Sequence, residues 1–289
     1  MKDYYKNFDF AEAEKLIKQA LKEDIGKGDI TSETLIPKHN ISKAGLLLKE
    51  NSVVAGLKIF EMVFKIIDKN IIITGKVYEG KFYKKGTTLC RLKGNTISLL
   101  KGERTALNIL QRMSGISNNV YNIVKMIGKQ PGLLDTRKTT PNFRIFEKLA
   151  VKIGGGINHR YGLYDMMLIK DNHIEACGNI SEVIKVLNKN KIKLQKIKKE
   201  IEVKNLEEVL TVKKYGKDLF DIVMLDNFSP EMIKEAIKLL EGKFIIEASG
   251  GINLTNIKEY AKIIGLDYIS SGSLTHSVKS SDISFNFFT

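Results

Sequence analysis

The sequence is short of cysteine, of arginine and of long apolar runs, and each shortage excludes something. Two cysteines, Cys90 and Cys177, stand far apart in 289 residues with no CxxC pair. That argues against a disulfide framework or a thiolate metal site and fits a reducing compartment, so the expected location is the cytoplasm. No apolar stretch approaches the roughly 20 residues of a membrane span, and no membrane partner is expected. The opening residues, MKDYYKNFDFAEAEK, lack the apolar core of a secretion signal. A GxGxxG fingerprint after the first strand is also missing, which counts against a doubly wound, dinucleotide-binding sheet. His159 and His173 fit no zinc spacing, and His39 and His276 read as structural.

What the chain has in excess is lysine. The formal net charge is +14, carried by 47 basic residues against 33 acidic ones. Such a balance first suggests nucleic acid. Yet lysine is spread along the whole chain, as in KLQKIKKE (193–200), and reads as a solvated surface. The six arginines, Arg91, Arg104, Arg112, Arg137, Arg144 and Arg160, all fall between 91 and 160. Arginine's rigid fork holds carboxylate and phosphate in ways that lysine cannot, so this clustering is the sharper signal. No nucleic-acid partner is expected.

Apolar spacing predicts a helix over 10–24 and another over 57–67, with strands at 44–50, 53–56, 71–80 and 87–94. The stretch VYEGKFYKKGTTLCRLKG has the glycine spacing of a carrier-domain turn but no carrier lysine, and reads as scaffold. From 103 a long helical pattern follows, with a break expected near Gly115. Then comes a repeated layout of short apolar strand, polar tip and amphipathic helix. Strands are expected at 133–136, 166–169, 200–203, 221–225, 244–248 and 268–272, and helices at 178–190, 205–215, 229–241 and 253–264. Such alternation implies parallel βα units. In a βα barrel the C-terminal strand ends converge on one mouth. Arg137, Lys138, Lys170, Glu202, Asp226, Ser249 and Ser271 would then share one cavity.

The tips EASGGI (247–252) and ISSGS (269–273) are small and glycine-rich, in the last two positions where barrels commonly bind phosphate. Glu202 and Asp226 suit a Mg²⁺ site, sugar hydroxyls, general-base work or simple pairing with Lys138 or Lys170. Arg137, Lys138, His159, Arg160 and Lys170 make a cationic side. Gathering cations is costly without an anionic ligand, so the substrate should be small and carry several negative charges.

These residues resemble a known family. GERTALNILQRMSGI (102–116), DTRKTTP (135–141), GGGINHRYGLYDMMLIKDNH (154–173), IEV (201–203), VMLDNF (223–228), EASGGI and ISSGSLTHS (269–277) are similar to quinolinate phosphoribosyltransferase, and LKEDIGKGDITS (21–32) and DISFNF (282–287) also fit. The resemblance implies an N-terminal α/β sandwich over 1–112, rejoined by 280–289, and an incomplete, TIM-like α/β barrel over 113–279. It implies transfer of a phosphoribosyl group from phosphoribosyl pyrophosphate to quinolinate with loss of CO₂, with Mg²⁺ as cofactor. Quinolinate would meet Arg137, His159, Arg160 and Lys170, and Arg104 of a neighbouring subunit in a homo-oligomer, a dimer or a hexamer of dimers. Lys138, Lys170, Glu202 and Asp226 would act on the sugar phosphate and its metal. Ser249, Gly250 and Gly251, with Ser271, Gly272 and Ser273, would hold the 5′-phosphate. Ser271 and Ser273 depart from the more apolar or smaller pair common there. A paralogue on the same scaffold, acting on another ring acid, is the alternative.

Overall fold

The computed structural model describes residues 3–128 and 130–288; the extreme ends of the expected N-terminal unit lie outside them. The chain forms two compact units. The first comprises Met1–Asn122, Thr139–Gly155 and Leu274–Thr289, and the second Ile123–Lys138 and Gly156–Ser273, over their described residues.

The first unit opens with α1 (Phe10–Ile25), whose N-cap Asp9 accepts the Glu12 backbone N–H. A short helix, α2 (Ile30–Leu35), follows, with the Asp29 side chain accepting the Ser32 N–H at its N-terminus. Strands β1 (Ile41–Leu48) and β2 (Ser52–Val53) precede α3 (Leu57–Ile67). β3 (Ile72–Thr74), β4 (Phe82–Tyr83) and β5 (Thr88–Asn95) follow, so the run expected as one strand over 71–80 is mostly irregular. Helix α4 (Thr96–Ile127) is continuous, and the expected domain boundary at 112/113 falls inside it. It does not break at Gly115. That glycine serves a close approach instead: a Cβ there would stand 3.0 Å from Ser280 Cα and collide with the Lys279 carbonyl.

Beyond β6 (Gly132–Leu134) lies α5 (Arg144–Ile153), a helix absent from the expected set. Next come β7 (Met167–Ile169), α6 (Asp171–Cys177), α7 (Ile180–Lys189), β8 (Lys199–Val203) and α8 (Leu206–Tyr215). The chain continues through β9 (Ile222–Asp226), α9 (Pro230–Leu240), β10 (Ile245–Ser249), α10 (Ile257–Ala261) and β11 (Tyr268–Ser270). It ends with α11 (Ser273–His276) and β12 (Ile283–Phe288).

In the first unit an antiparallel sheet runs in the order β12-β1-β5-β3. The chain's last strand pairs with its first, Leu46 opposite Phe285. The apolar face of α3 supplies Phe60, Val63 and Phe64 to the core, and Phe64 stacks on Phe285. Nothing in this unit's own layers is unusual for an α/β sandwich.

The second unit is a parallel sheet in the order β6-β11-β10-β9-β8-β7. Its middle strands are buried on both faces, as in the IVML run of β9, which is how a parallel sheet flanked by helices must read. Asn179, Asn205 and Ser229 cap α7, α8 and α9 through their side chains. Among the described residues β6 and β7 share no ladder; a single bridge joins Leu134 to Ile157. This is the expected incomplete α/β barrel, left open between its first and second strands. The expected helix over 253–264 shrinks to α10, since Asn253 and Asn256 spend their side chains on loop bonds around Gly251.

Candidate active site

The C-terminal ends of the parallel strands converge on one cavity of about 680 Å³. This is an ordinary volume for a small-molecule site. Each wall comes from a different strand end. The loop after β6 brings Arg137 and Lys138, the irregular segment before β7 brings His159 and Arg160, and Lys170 stands at the end of β7. Facing them are Glu202 from β8 and Asp226 from β9, and beyond these lie Ser249, Gly250 and Gly251 after β10.

Not every expected residue arrives. Ser271, Gly272 and Ser273 are not among the described residues lining the cavity; Ser270 is. The Ser271 N–H is taken by the Leu134 carbonyl, and its hydroxyl meets that of Ser273 at 2.8 Å. Arg104 belongs to the first unit, where it is 63% exposed and lies 3.7 Å from Glu103. His173 accepts the Lys170 N–H and so caps α6, and His276 meets the Ser277 hydroxyl.

The cationic wall is tightly built. Arg160 is 9% exposed and donates to the Met166 carbonyl. Burial, and then the charge of Arg137, push its pKa below the ordinary guanidinium value. Two guanidiniums lining one cavity form a receptor for an anion. On the acidic wall, Lys170 Nζ lies 3.0 Å from Glu202 Oε2, so the expected pairing exists alongside any catalytic role. Burial, and then the neighbouring Glu202, raise the Asp226 carboxyl above its usual range. A cation near this pair would relieve that repulsion.

The glycine-rich turn has its own geometric requirement. Gly250 sits at φ +81°, and a Cβ there would lie 2.8 Å from the Asp226 carboxylate and run into the Asn227 carboxamide. Only glycine meets both conditions. The turn therefore packs bare backbone at the cavity wall, where N–H groups free of side-chain bulk can meet a phosphate.

Four participants escape sequence reasoning: Asp135, Glu200, Glu247 and Ser270. Asp135 is fully buried and accepts the His159 backbone N–H at 2.8 Å and the Asn158 amide at 2.7 Å. Glu200 and Glu247 are also fully buried, with carboxylate oxygens 3.0 and 3.5 Å from His159 Nε2. A signal existed. Strand periodicity of two puts Glu200 on the same face as Glu202, and Glu247 on the same face as Ser249. Burial drives the His159 pKa down, but the two carboxylates outweigh it and carry it up to about 9. Burial lifts Glu200 to about 7. The Arg160 N–H is aimed at His159 Nδ1 at 2.8 Å, a contact that only the neutral ring with its hydrogen on Nε2 accepts, so it opposes the carboxylates' pull.

Comparison with known proteins agrees with this geometry. Residues 116–286 match the quinolinate phosphoribosyl transferase C-terminal domain and residues 29–114 match its N-terminal domain. The chain is 39% identical over 292 residues to a mitochondrial quinolinate phosphoribosyltransferase (decarboxylating) of Nicotiana tabacum, covering 95% of this chain and 82% of that protein. It is 38% identical over 288 residues to a chloroplastic nicotinate-nucleotide pyrophosphorylase (carboxylating) of Arabidopsis thaliana, covering 95% and 82%. Among solved structures, the nicotinate-nucleotide pyrophosphorylase of Francisella tularensis superimposes with a TM-score of 0.90 at 36% identity, over 100% of both chains.

Proposed function

The chain belongs to the quinolinate phosphoribosyltransferase family, and from that premise we infer how its cavity performs the reaction. The enzyme transfers the phosphoribosyl group of phosphoribosyl pyrophosphate to quinolinate with decarboxylation. The products are nicotinate mononucleotide, pyrophosphate and CO₂, in de novo NAD biosynthesis.

Arg137, Arg160 and Lys170 receive the two carboxylates of quinolinate. The observation that carries this assignment is that Arg137, Arg160 and Lys170 line one cavity, Arg160 being only 9% exposed. With its carboxylates held, the ring nitrogen is left to attack the ribose anomeric carbon. Ser249, Gly250 and Gly251 hold the 5′-phosphate, and Lys138 meets the pyrophosphate. Glu202 and Asp226 flank the ribose, where their negative charge favours the oxocarbenium-like transition state.

The same two carboxylates fit Mg²⁺. They are hard oxygen donors on adjacent strand ends, and two protein carboxylates plus substrate phosphates are the usual set for that ion. When bound, Mg²⁺ supplies charge neutralisation for the leaving pyrophosphate. After transfer, loss of CO₂ leaves its electron pair on C2 of the ring, where the adjacent positive pyridinium nitrogen stabilises it, and a proton drawn ultimately from solvent then takes the carboxylate's place at C2. The protein's part is to hold the ring and exclude water, and no covalent cofactor is needed.

Arg104 acts in a homodimer, or a hexamer of dimers, by entering the partner's cavity. Its exposure and its long 3.7 Å contact with Glu103 support this. The exposed, unpaired Cys177 suits a cytoplasmic enzyme. One assay tests the activity: incubation with quinolinate, phosphoribosyl pyrophosphate and Mg²⁺, following nicotinate mononucleotide and CO₂. Absence of both products from folded protein would overturn it.

A further inference from the structure

The segment 157–160 carries two cavity residues but belongs to no strand; its ladder amounts to one bridge, Leu134 to Ile157. Side chains hold it instead. Asp135 fixes the backbone at His159 and the side chain of Asn158. The other hold is the His159 ring. Its Nε2 faces Glu200 and Glu247, and its Nδ1 accepts the backbone N–H of Arg160. Nδ1 is thus committed to the backbone and Nε2 is turned toward two buried carboxylates, which leaves the ring poorly placed to bind a substrate carboxylate itself.

The two glutamates otherwise have no evident purpose. Both are 0% exposed and their oxygens meet no hydrogen-bond geometry; among the described residues the ion-pair contact they make is with His159 Nε2, at 3.0 and 3.5 Å. Two neighbouring buried carboxylates are costly to keep. The arrangement gains its return at Arg160, one residue along the chain and 9% exposed. His159, Glu200 and Glu247 do approach within 4.8 Å of one another, as metal ligands would. The nearby guanidinium of Arg160 disfavours a divalent ion there and favours the carboxylates as its counter-charge.

We propose that Glu247, together with Glu200, is a positioning residue for the dicarboxylate substrate: through His159 it fixes the backbone at Arg160 and so aims that guanidinium. This rests on the assignment of Arg160 to quinolinate. It predicts a loss confined to one substrate.

The test is steady-state kinetics on the full-length enzyme carrying Glu247→Gln, which keeps shape and removes charge. KM for quinolinate should rise about tenfold, the customary cost of losing an orienting partner. KM for phosphoribosyl pyrophosphate should stay within about twofold, as expected for distant, independent sites. Glu247→Asp, which keeps the charge, should recover part of the loss. In a His159→Asn background Glu247→Gln should add little, because its route of action is gone. An equal rise in both KM values, an unchanged KM for quinolinate, additivity with His159→Asn, or a stoichiometric metal ion lost in the variant would each overturn the proposal. If Glu247→Gln fails to fold, Glu200→Gln is read by the same split. A measurement on unmodified enzyme needs no variant: ¹⁵N spectra of labelled histidine should show the buried ring unprotonated at Nδ1, and a proton there would overturn the clamp. Wild-type turnover separates the two levels, since an inactive wild type refutes the family reaction, whereas an active wild type with an indifferent Glu247→Gln refutes only the positioning role.

Discussion

Nicotinate differs from quinolinate by one carboxylate, and offering it in place of quinolinate is a perturbation made on the ligand, with the protein untouched. One arm of the cationic wall is then left without its anion. The arm at issue includes Arg160, which is 9% exposed. Removing one partner of a buried ion pair costs about 3–5 kcal/mol. Arg160 retains its bond to the Met166 carbonyl and the nearby charge of Glu200, so part of that loss is cushioned. A remaining cost of about 2–3 kcal/mol is reasonable for a hydrogen-bonded charge left with weaker partners. At 1.4 kcal/mol per tenfold, kcat/KM for nicotinate should fall roughly 30- to 150-fold below that for quinolinate. The assay is convenient because direct transfer to nicotinate yields the same mononucleotide, so one chromatographic peak reports both reactions. CO₂ release marks the share arising from quinolinate. Values within about threefold of each other would mean that the paired guanidiniums do not read the second carboxylate, since a buried unpaired charge cannot be so cheap.

Glu202→Ala and Asp226→Ala should raise KM for phosphoribosyl pyrophosphate while calorimetry still detects quinolinate; loss of quinolinate binding with intact sugar-phosphate use would refute the division of the cavity. Arg104→Ala and Lys170→Ala, each nearly inactive alone, should regain up to about a quarter of wild-type activity after random subunit exchange, because a two-fold dimer with shared sites then contains one intact site. Exchange without recovery would show that Arg104 does not serve a neighbour. Glu241, held to about 2 by Lys213 and Lys243, has a folded pKa below its unfolded value, so its stabilisation is present above about 4.5 and lost as pH falls towards 2. Glu241→Gln should therefore lower Tm near neutral pH and leave it unchanged near the acid end; equal shifts at both would refute the ion-pair cause.

Much of the second unit is legible in the sequence because its strands are short apolar runs and their polar tips mark the mouth. Lys170, Glu202 and Asp226 each stand at the end of such a run, and all three line the cavity. Glu200 and Glu247 were less legible for a physical reason. Glu247 is a single acidic residue inside the apolar run FIIEA, and Glu200 follows the lysines of KIKK, so each resembles an edge or exposed position although the fold buries both completely. Gly115 misleads in the opposite way: a glycine in a helical pattern suggests a break, but here it clears space for residues 279–280, over 160 positions away in sequence, which no local rule reaches. Helix α5 carries an amphipathic pattern, with Arg144, Glu147, Lys148 and Lys152 at helical spacing, but it stands outside the repeated strand, tip and helix layout, and the fold buries Glu147 and Lys148. The displacement of Ser271–Ser273 from the cavity accompanies β11 ending two residues before the expected strand 268–272, with the Ser271 N–H spent on β6.

The gap between β6 and β7 bears on how such a scaffold diversifies. A fully closed barrel has its bore set by strand number and stagger, so admitting a wider or differently shaped ring would require changes all round its circumference. Here the circumference is interrupted, and the interruption is filled by the segment that carries His159 and Arg160. Lengthening, shortening or rewriting residues 156–166 alters the end of the cavity proposed for the acceptor, while the proposed sugar-phosphate end stays anchored where Ser249 pairs with Asp226 on β9. Descent with modification can therefore exchange one nitrogenous ring for another at a single hinge of sequence, and libraries confined to that segment are where new acceptor preferences should first emerge.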